Sequence, residues 1–204
     1  YREIFNRKSQ NFRIQKQHPA LILAEKPSSR VLPTPPGFGI GGQKNYYFSH
    51  LLNCPYDCRY CFLQGMYQSA HYVLFVNYED FQSDIVAVLD SHKNEEVTFF
   101  SGYDADSLAF NANTQFIENF IPFFRGHPKA LLELRTKSAN VKSLLGCQPI
   151  HNAVVAFSMT PDSISRKVEH RVPKLLQRLK AMRQLQQAGW RLGLRFDPLI
   201  YTDN

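Results

Sequence analysis

Leu131-Leu132-Glu133-Leu134-Arg135-Thr136, a short helical pattern over residues 138–145, then Ala153-Val154-Val155-Ala156-Phe157 is the stretch that decides the fold class. Both apolar runs have strand length, and a helical segment lies between them, which predicts parallel βα units with strands buried on both faces. The alternation continues outward. Upstream, Tyr46-Tyr47-Phe48-Ser49-His50-Leu51-Leu52 reads as one strand, Tyr72-Val73-Leu74-Phe75-Val76 as a short apolar strand, and residues 79–91 as an amphipathic helix. Glu96-Val97-Thr98-Phe99-Phe100 is the next strand, followed by a helix over 114–124 that Pro122 is expected to kink or shorten. Downstream, a basic helix over 173–187 has Pro173 in its first turn and Gly189 at its end, and Arg191-Leu192-Gly193-Leu194-Arg195-Phe196 closes the series.

Strands alternating with helices give an α/β fold, and five strands on one sheet fit an open doubly wound sheet or a partial barrel. A full eight-strand barrel needs about 250 residues, and this chain has 204, ending at Tyr201-Thr202-Asp203-Asn204 without a further helix. The expectation is therefore a barrel domain over residues 43–204, truncated at its C-terminus. Residues 1–42 read as a basic N-terminal segment. They hold one apolar patch, Ala20-Leu21-Ile22-Leu23, and a Pro/Gly-rich lead-in from Pro33 to Gly42 that suits neither helix nor central strand.

No run approaches the roughly 18–20 apolar residues of a membrane helix, so no membrane partner and a cytoplasmic location are expected. Lysine and arginine number 24 against 17 acids, a formal charge of +7 concentrated near the N-terminus and over residues 166–195. That excess suits a polyanion such as nucleic acid, although many soluble proteins are as basic. Nothing in the sequence sets the oligomeric state.

Three of the four cysteines fall in Asn53-Cys54-Pro55-Tyr56-Asp57-Cys58-Arg59-Tyr60-Cys61-Phe62. A disulfide framework would spread them along the chain, so clustered thiols read as metal ligands. The C-x3-C-x2-C spacing places three thiolates on one tight loop. Each can take one iron of a [4Fe-4S] cluster, leaving a fourth iron open to a small chelating ligand such as S-adenosylmethionine (SAM). Structural zinc is the competing reading, with His50 or His71 as fourth ligand, but zinc sites favour paired C-x2-C knuckles and only one such pair is present. Cys147 stands alone after Leu144-Leu145-Gly146 and reads as a small buried hydrophobe.

At this motif the chain resembles the radical SAM superfamily and, more narrowly, the spore photoproduct lyase family of DNA repair enzymes. The resemblance runs from about Gly41 onward. It is carried by Tyr47-Phe48-Ser49-His50, Cys61-Phe62-Leu63-Gln64, Val76-Asn77-Tyr78-Glu79-Asp80, Thr136-Lys137-Ser138-Ala139-Asn140, Ala156-Phe157-Ser158 and Phe196-Asp197-Pro198-Leu199. It implies a partial (β/α)6 radical SAM barrel with cluster and SAM at the C-terminal mouth. Cys54, Cys58 and Cys61 would ligate the cluster, and Lys137 and Ser158 would contact SAM. Alternatives stay open for the last two: Lys137 as a solvated loop lysine, Ser158 as a cap of the next helix. Asp106 and Asp197 are polar groups at strand ends and candidate liners of the same site. The implied partners are DNA and an external one-electron donor such as a flavodoxin or ferredoxin.

Two departures bear on catalysis. The resemblance implies a hydrogen-donor cysteine at or near the position of Tyr103, and a tyrosine where this chain has Phe62. Phenylalanine has no O–H to pass on, which leaves Tyr103 and Tyr60 as candidate catalytic hydroxyls. The expected function is a radical SAM, lyase-like DNA repair enzyme. A radical SAM enzyme on another substrate, or a metal-stabilised nucleic-acid-binding module without turnover, are the alternatives.

Overall fold

A computed structural model describes residues 1–201; residues 202–204, part of the tail behind the truncation expectation, lie outside the described residues. Two short helices, α1 (Arg2–Phe5) and α2 (Phe12–Gln17), lead into β1 (Leu21–Ala24) and β2 (Val31–Pro33). The apolar patch is thus a strand, paired in parallel with β6 (Tyr72–Phe75). Val31–Pro33 pairs antiparallel with β3 (Lys44–Phe48) at one edge of the main sheet, where a proline that cannot donate to a ladder is tolerated.

The expected strand over 46–52 divides. Lys44–Phe48 stays in the main sheet, while β4 (Leu51–Leu52) pairs antiparallel with β6 in a three-stranded sheet of order β1-β6-β4. The chain changes sheets at Ser49 and His50, both buried, and the His50 carbonyl accepts the Phe75 N–H at 2.9 Å. After β4, Asn53 adopts a left-handed backbone (φ 70°), a conformation that asparagine tolerates. Its Nδ2 donates to the Ser69 and His71 carbonyls at 2.8 and 2.7 Å, turning the chain into the cysteine loop. That loop contains β5 (Asp57–Cys58) and ends in α3 (Leu63–Met66).

The main sheet then runs through α4 (Tyr78–Ser91), β7 (Val97–Phe100), α5 (Asn111–Thr114), α6 (Phe116–Arg125), β8 (Ala130–Thr136), α7 (Lys142–Leu145) and β9 (Ala153–Ser158). It finishes with α8 (Asp162–Val168), β10 (Glu169–His170), α9 (Leu175–Gln187) and β11 (Arg191–Arg195). Its order is β11-β9-β8-β7-β3-β2, and the five strands from β3 to β11 are parallel. Each parallel strand lies beside its predecessor, so right-handed crossovers put the helices on one face and curl the sheet into part of a barrel. The fold class read from sequence is the one observed.

The helix side holds the core. Phe116, Ile117, Phe120, Ile121 and Phe124 form one buried face of α6, and Phe120 stacks on Phe48 with centroids 5.3 Å apart. Pro122 neither ends nor shortens this helix. A mid-helix proline costs about 3 kcal/mol, but each buried aromatic or branched side chain returns about 1.5–3 kcal/mol, and Pro122 itself faces solvent. The helix expected over 138–145 forms only at Lys142–Leu145. Side chains of Thr136 and Ser138 bond to the N–H groups of Ser138 and Asn140 instead. The hairpin of α8 and β10 has no counterpart in the sequence reading. Among the described residues, no helix is long and apolar enough to cross a membrane.

Candidate cofactor site

The C-terminal ends of β7, β8, β9 and β11 surround a cleft of about 280 Å³ whose remaining wall is the cysteine loop. All nine residues nominated from sequence line it: Cys54, Cys58 and Cys61, Tyr60 beside them, Tyr103 and Asp106 after β7, Lys137 after β8, Ser158 at the end of β9, and Asp197 after β11. Ends of parallel strands are where such sheets build ligand sites.

The three thiols are free, and the Cys61 N–H donates to the Cys58 carbonyl at 3.0 Å, closing the tight turn between them. Burial raises all three thiol pKa values, Cys58 to about 11, with the charge of Lys137 pulling Cys58 and Cys61 back down. A metal held by these thiols would displace their protons. Among the described residues no three His, Cys, Asp or Glu side chains are gathered closely enough to hold a single metal ion. The histidines a zinc site would use are committed elsewhere. His50 stacks on Phe116 at 4.0 Å in the core, and burial lowers its pKa to about 3; His71 Nδ1 accepts the Ala20 N–H at 3.0 Å. Three thiols on one wall of a cofactor-sized cleft fit a cluster with an open site better than a four-coordinate zinc.

Asp106 is fully engaged within the protein. Its carboxylate accepts the backbone N–H groups of Lys137, Leu108 and Ala109 at 2.6, 3.0 and 2.9 Å and the Thr136 hydroxyl at 2.7 Å. Burial raises its pKa, and these donors oppose the rise. Asp106 thus fixes the backbone from which Lys137 projects. Lys137 is largely buried, with its ammonium 3.7 Å from Glu169 and 5.8 Å from the Tyr60 ring centroid. It is not a solvated loop lysine. Ser158 does not cap the next helix, since Pro161 occupies the N-cap of α8.

Tyr103 sits in an aromatic group. Its ring stacks on Tyr47 with centroids 4.4 Å apart, and Phe62 and Phe38 approach it at 6.1 and 6.4 Å. Phe62 and Phe38 are both about half exposed, and of the two only Phe62 lines the cleft. Cys147 packs against the hydrophobic core and does not line the cleft.

Sequence reasoning missed Glu169 and Arg178. Glu169 is buried, and its carboxylate accepts Tyr60 Oη at 2.5 Å, Thr160 Oγ1 at 2.8 Å, Ser165 Oγ at 2.6 Å and Arg178 Nη2 at 2.9 Å. Burial would raise its pKa, but these donors and the charge of Lys137 outweigh that and bring it to about 2. One signal was present: Glu169 is the only carboxylate between Asp162 and Asp197, in a run dense with cations.

The spore photoproduct lyase family model matches residues 44–204. Curated relatives include spore photoproduct lyases from Clostridium acetobutylicum, 22% identical over 78% of this chain and 48% of that protein, and from Geobacillus sp., 26% identical over 74% and 44%. The chain thus spans about half the length of the curated relatives it matches. Among solved structures, spore photoproduct lyase complexed with dinucleoside spore photoproduct superposes with TM-score 0.84 at 19% identity, over 97% of this chain and 57% of that one. A double mutant of the lyase with bound AdoMet and dinucleoside spore photoproduct gives TM-score 0.81 at 19% identity, over 90% and 52%. At that identity the superpositions establish the partial-barrel fold, and the match over residues 44–204 establishes the lineage: the chain belongs to the spore photoproduct lyase family of the radical SAM superfamily.

Proposed function

We propose that this chain is a radical SAM iron-sulfur enzyme, with Cys54, Cys58 and Cys61 holding a [4Fe-4S] cluster and Lys137 and Ser158 contacting SAM. The single observation behind this reading is the convergence of those side chains on one cleft at the strand ends. The bound pair would supply one-electron cleavage of the sulfonium C–S bond of SAM, giving a 5′-deoxyadenosyl radical. Lys137 offers a cation to the cofactor carboxylate, Asp106 holds its backbone in place, and Asp197 lines the far rim. The substrate is DNA, as the lesion-bound relatives suggest by analogy, and an external donor such as a flavodoxin or ferredoxin supplies the electron. Tyr103 is the hydrogen-atom donor: its O–H bond breaks as a C–H bond forms on the product radical, leaving a phenoxyl radical on Tyr103 that the external one-electron donor reduces with uptake of a proton.

The test is anaerobic reconstitution followed by incubation with SAM, dithionite and ultraviolet-irradiated DNA. About four iron atoms per chain, release of 5′-deoxyadenosine and loss of lesion support the whole reading. Metal without SAM cleavage would reduce the chain to a binding module. SAM cleavage without lesion loss would favour a radical SAM enzyme with another substrate, a reading that Phe62 and Tyr103 support because they replace both residues expected of the lyase relay.

A further inference from the structure

Glu169 gathers the cofactor site from behind. Its backbone lies opposite Cys58 in the β10–β5 pair, and the Arg59 N–H donates to the Val168 carbonyl at 2.8 Å, so the hairpin after β9 is sewn to the cysteine loop. Its side chain meets Tyr60 from that loop, Lys137 from the end of β8, Thr160 and Ser165 beyond β9, and Arg178 from α9. Arg178 is wholly buried and also donates from Nη1 to the Ser158 carbonyl at 2.7 Å. Both residues nominated for SAM contact, and the cluster-loop tyrosine, are therefore tied to one carboxylate.

The charges explain why the carboxylate is needed. Two cations, Lys137 and Arg178, face one anion, Glu169. Arg178 has a direct 2.9 Å hydrogen bond to it, whereas the Lys137 ammonium stands off at 3.7 Å. Arg178 satisfies the anion, and Lys137 is oriented without being consumed, leaving its protons for an anion in the cleft. An apolar plug of the same volume would be cheaper, because burying an ion pair commonly costs more than its attraction returns. A network that serves packing alone has no need of these charges.

We propose that Glu169 is a positioning residue of the SAM site, aiming the Lys137 ammonium at the cofactor carboxylate and anchoring the cysteine loop through Tyr60, with Arg178 as its buried counter-charge. The inference rests on the radical SAM reading. It is tested on the whole reconstituted chain by titrating SAM against the electron paramagnetic resonance signal of the reduced cluster, alongside iron content and thermal midpoint. Glu169→Gln should keep its iron but bind SAM roughly tenfold more weakly, with a lowered midpoint because Arg178 loses its counter-charge. Glu169→Gln combined with Arg178→Met should regain the midpoint and not the affinity. If affinity and midpoint recover together, or if Glu169→Gln binds SAM like the parent, the positioning role is overturned. A parent protein with full iron and no SAM response would overturn the radical SAM reading itself, and the inference with it.

Discussion

The phenol ring of Tyr103 lies on that of Tyr47, with centroids 4.4 Å apart and planes 27° from parallel. The stack holds Tyr103 at the cleft wall, and it depends on the rings rather than the hydroxyls. Tyr103→Phe should therefore preserve geometry and SAM cleavage while lowering product yield at least roughly a hundredfold, the low end for removing a proton-transferring group. Tyr103→Cys should restore yield, because a thiol is a better hydrogen-atom donor to carbon. Quantifying product and 5′-deoxyadenosine in the same reaction checks both; equal yields from parent and Tyr103→Phe would exclude the tyrosine as donor.

Gly102, next to Tyr103, owes its identity to a close approach. A Cβ there would lie 2.8 Å from Ser107 Oγ and 2.9 Å from the Arg135 carbonyl oxygen. The carbonyl belongs to β8 and cannot rotate away, so Gly102→Ala forces the loop off the strand. The expected cost is about 1–3 kcal/mol, read as a lower denaturation midpoint together with weakened SAM binding. Undisturbed SAM binding would mean that the loop's position is not critical to the cleft.

His50 links stability to pH. It is buried against Phe116, and desolvation lowers its pKa to about 3, against about 6.5 in an unfolded chain. Below pH 6.5 the unfolded chain takes up a proton that the folded chain refuses. The stability His50 contributes is thus complete above about 6.5 and falls as pH drops toward 3, by about 1.4 kcal/mol per unit within the window. His50→Phe should flatten that slope by one proton's worth in denaturant titrations between pH 4 and 6. An unchanged slope would assign the acid sensitivity to other groups.

The four cysteines should separate cleanly on substitution. Alanine at Cys54, Cys58 or Cys61 is expected to abolish retention of the cluster, whereas Cys147→Ala, at a core-packed position outside the cleft, should leave iron content unchanged. Iron and acid-labile sulfide assays on the reconstituted variants decide it. Loss of iron from Cys147→Ala would point to a ligand role for that thiol.

Periodicity and spacing were enough to read the alternation of strands and helices, the parallel sheet, and the three thiols. Strand periodicity and a local C-x3-C-x2-C spacing are properties of neighbouring residues, so they survive without coordinates. Phe62 and Tyr103 were legible for the same reason. Tertiary structure alone decided the rest. Only sheet pairing breaks the run from Tyr46 to Leu52 into two strands, because Lys44–Phe48 bonds to β7 and Leu51–Leu52 to β6. Only packing carries α6 through Pro122. Only the fold brings Glu169 to Tyr60, 109 positions away in the chain. A buried carboxylate finds its partners through space, and no local pattern records which hydroxyls and cations will meet it.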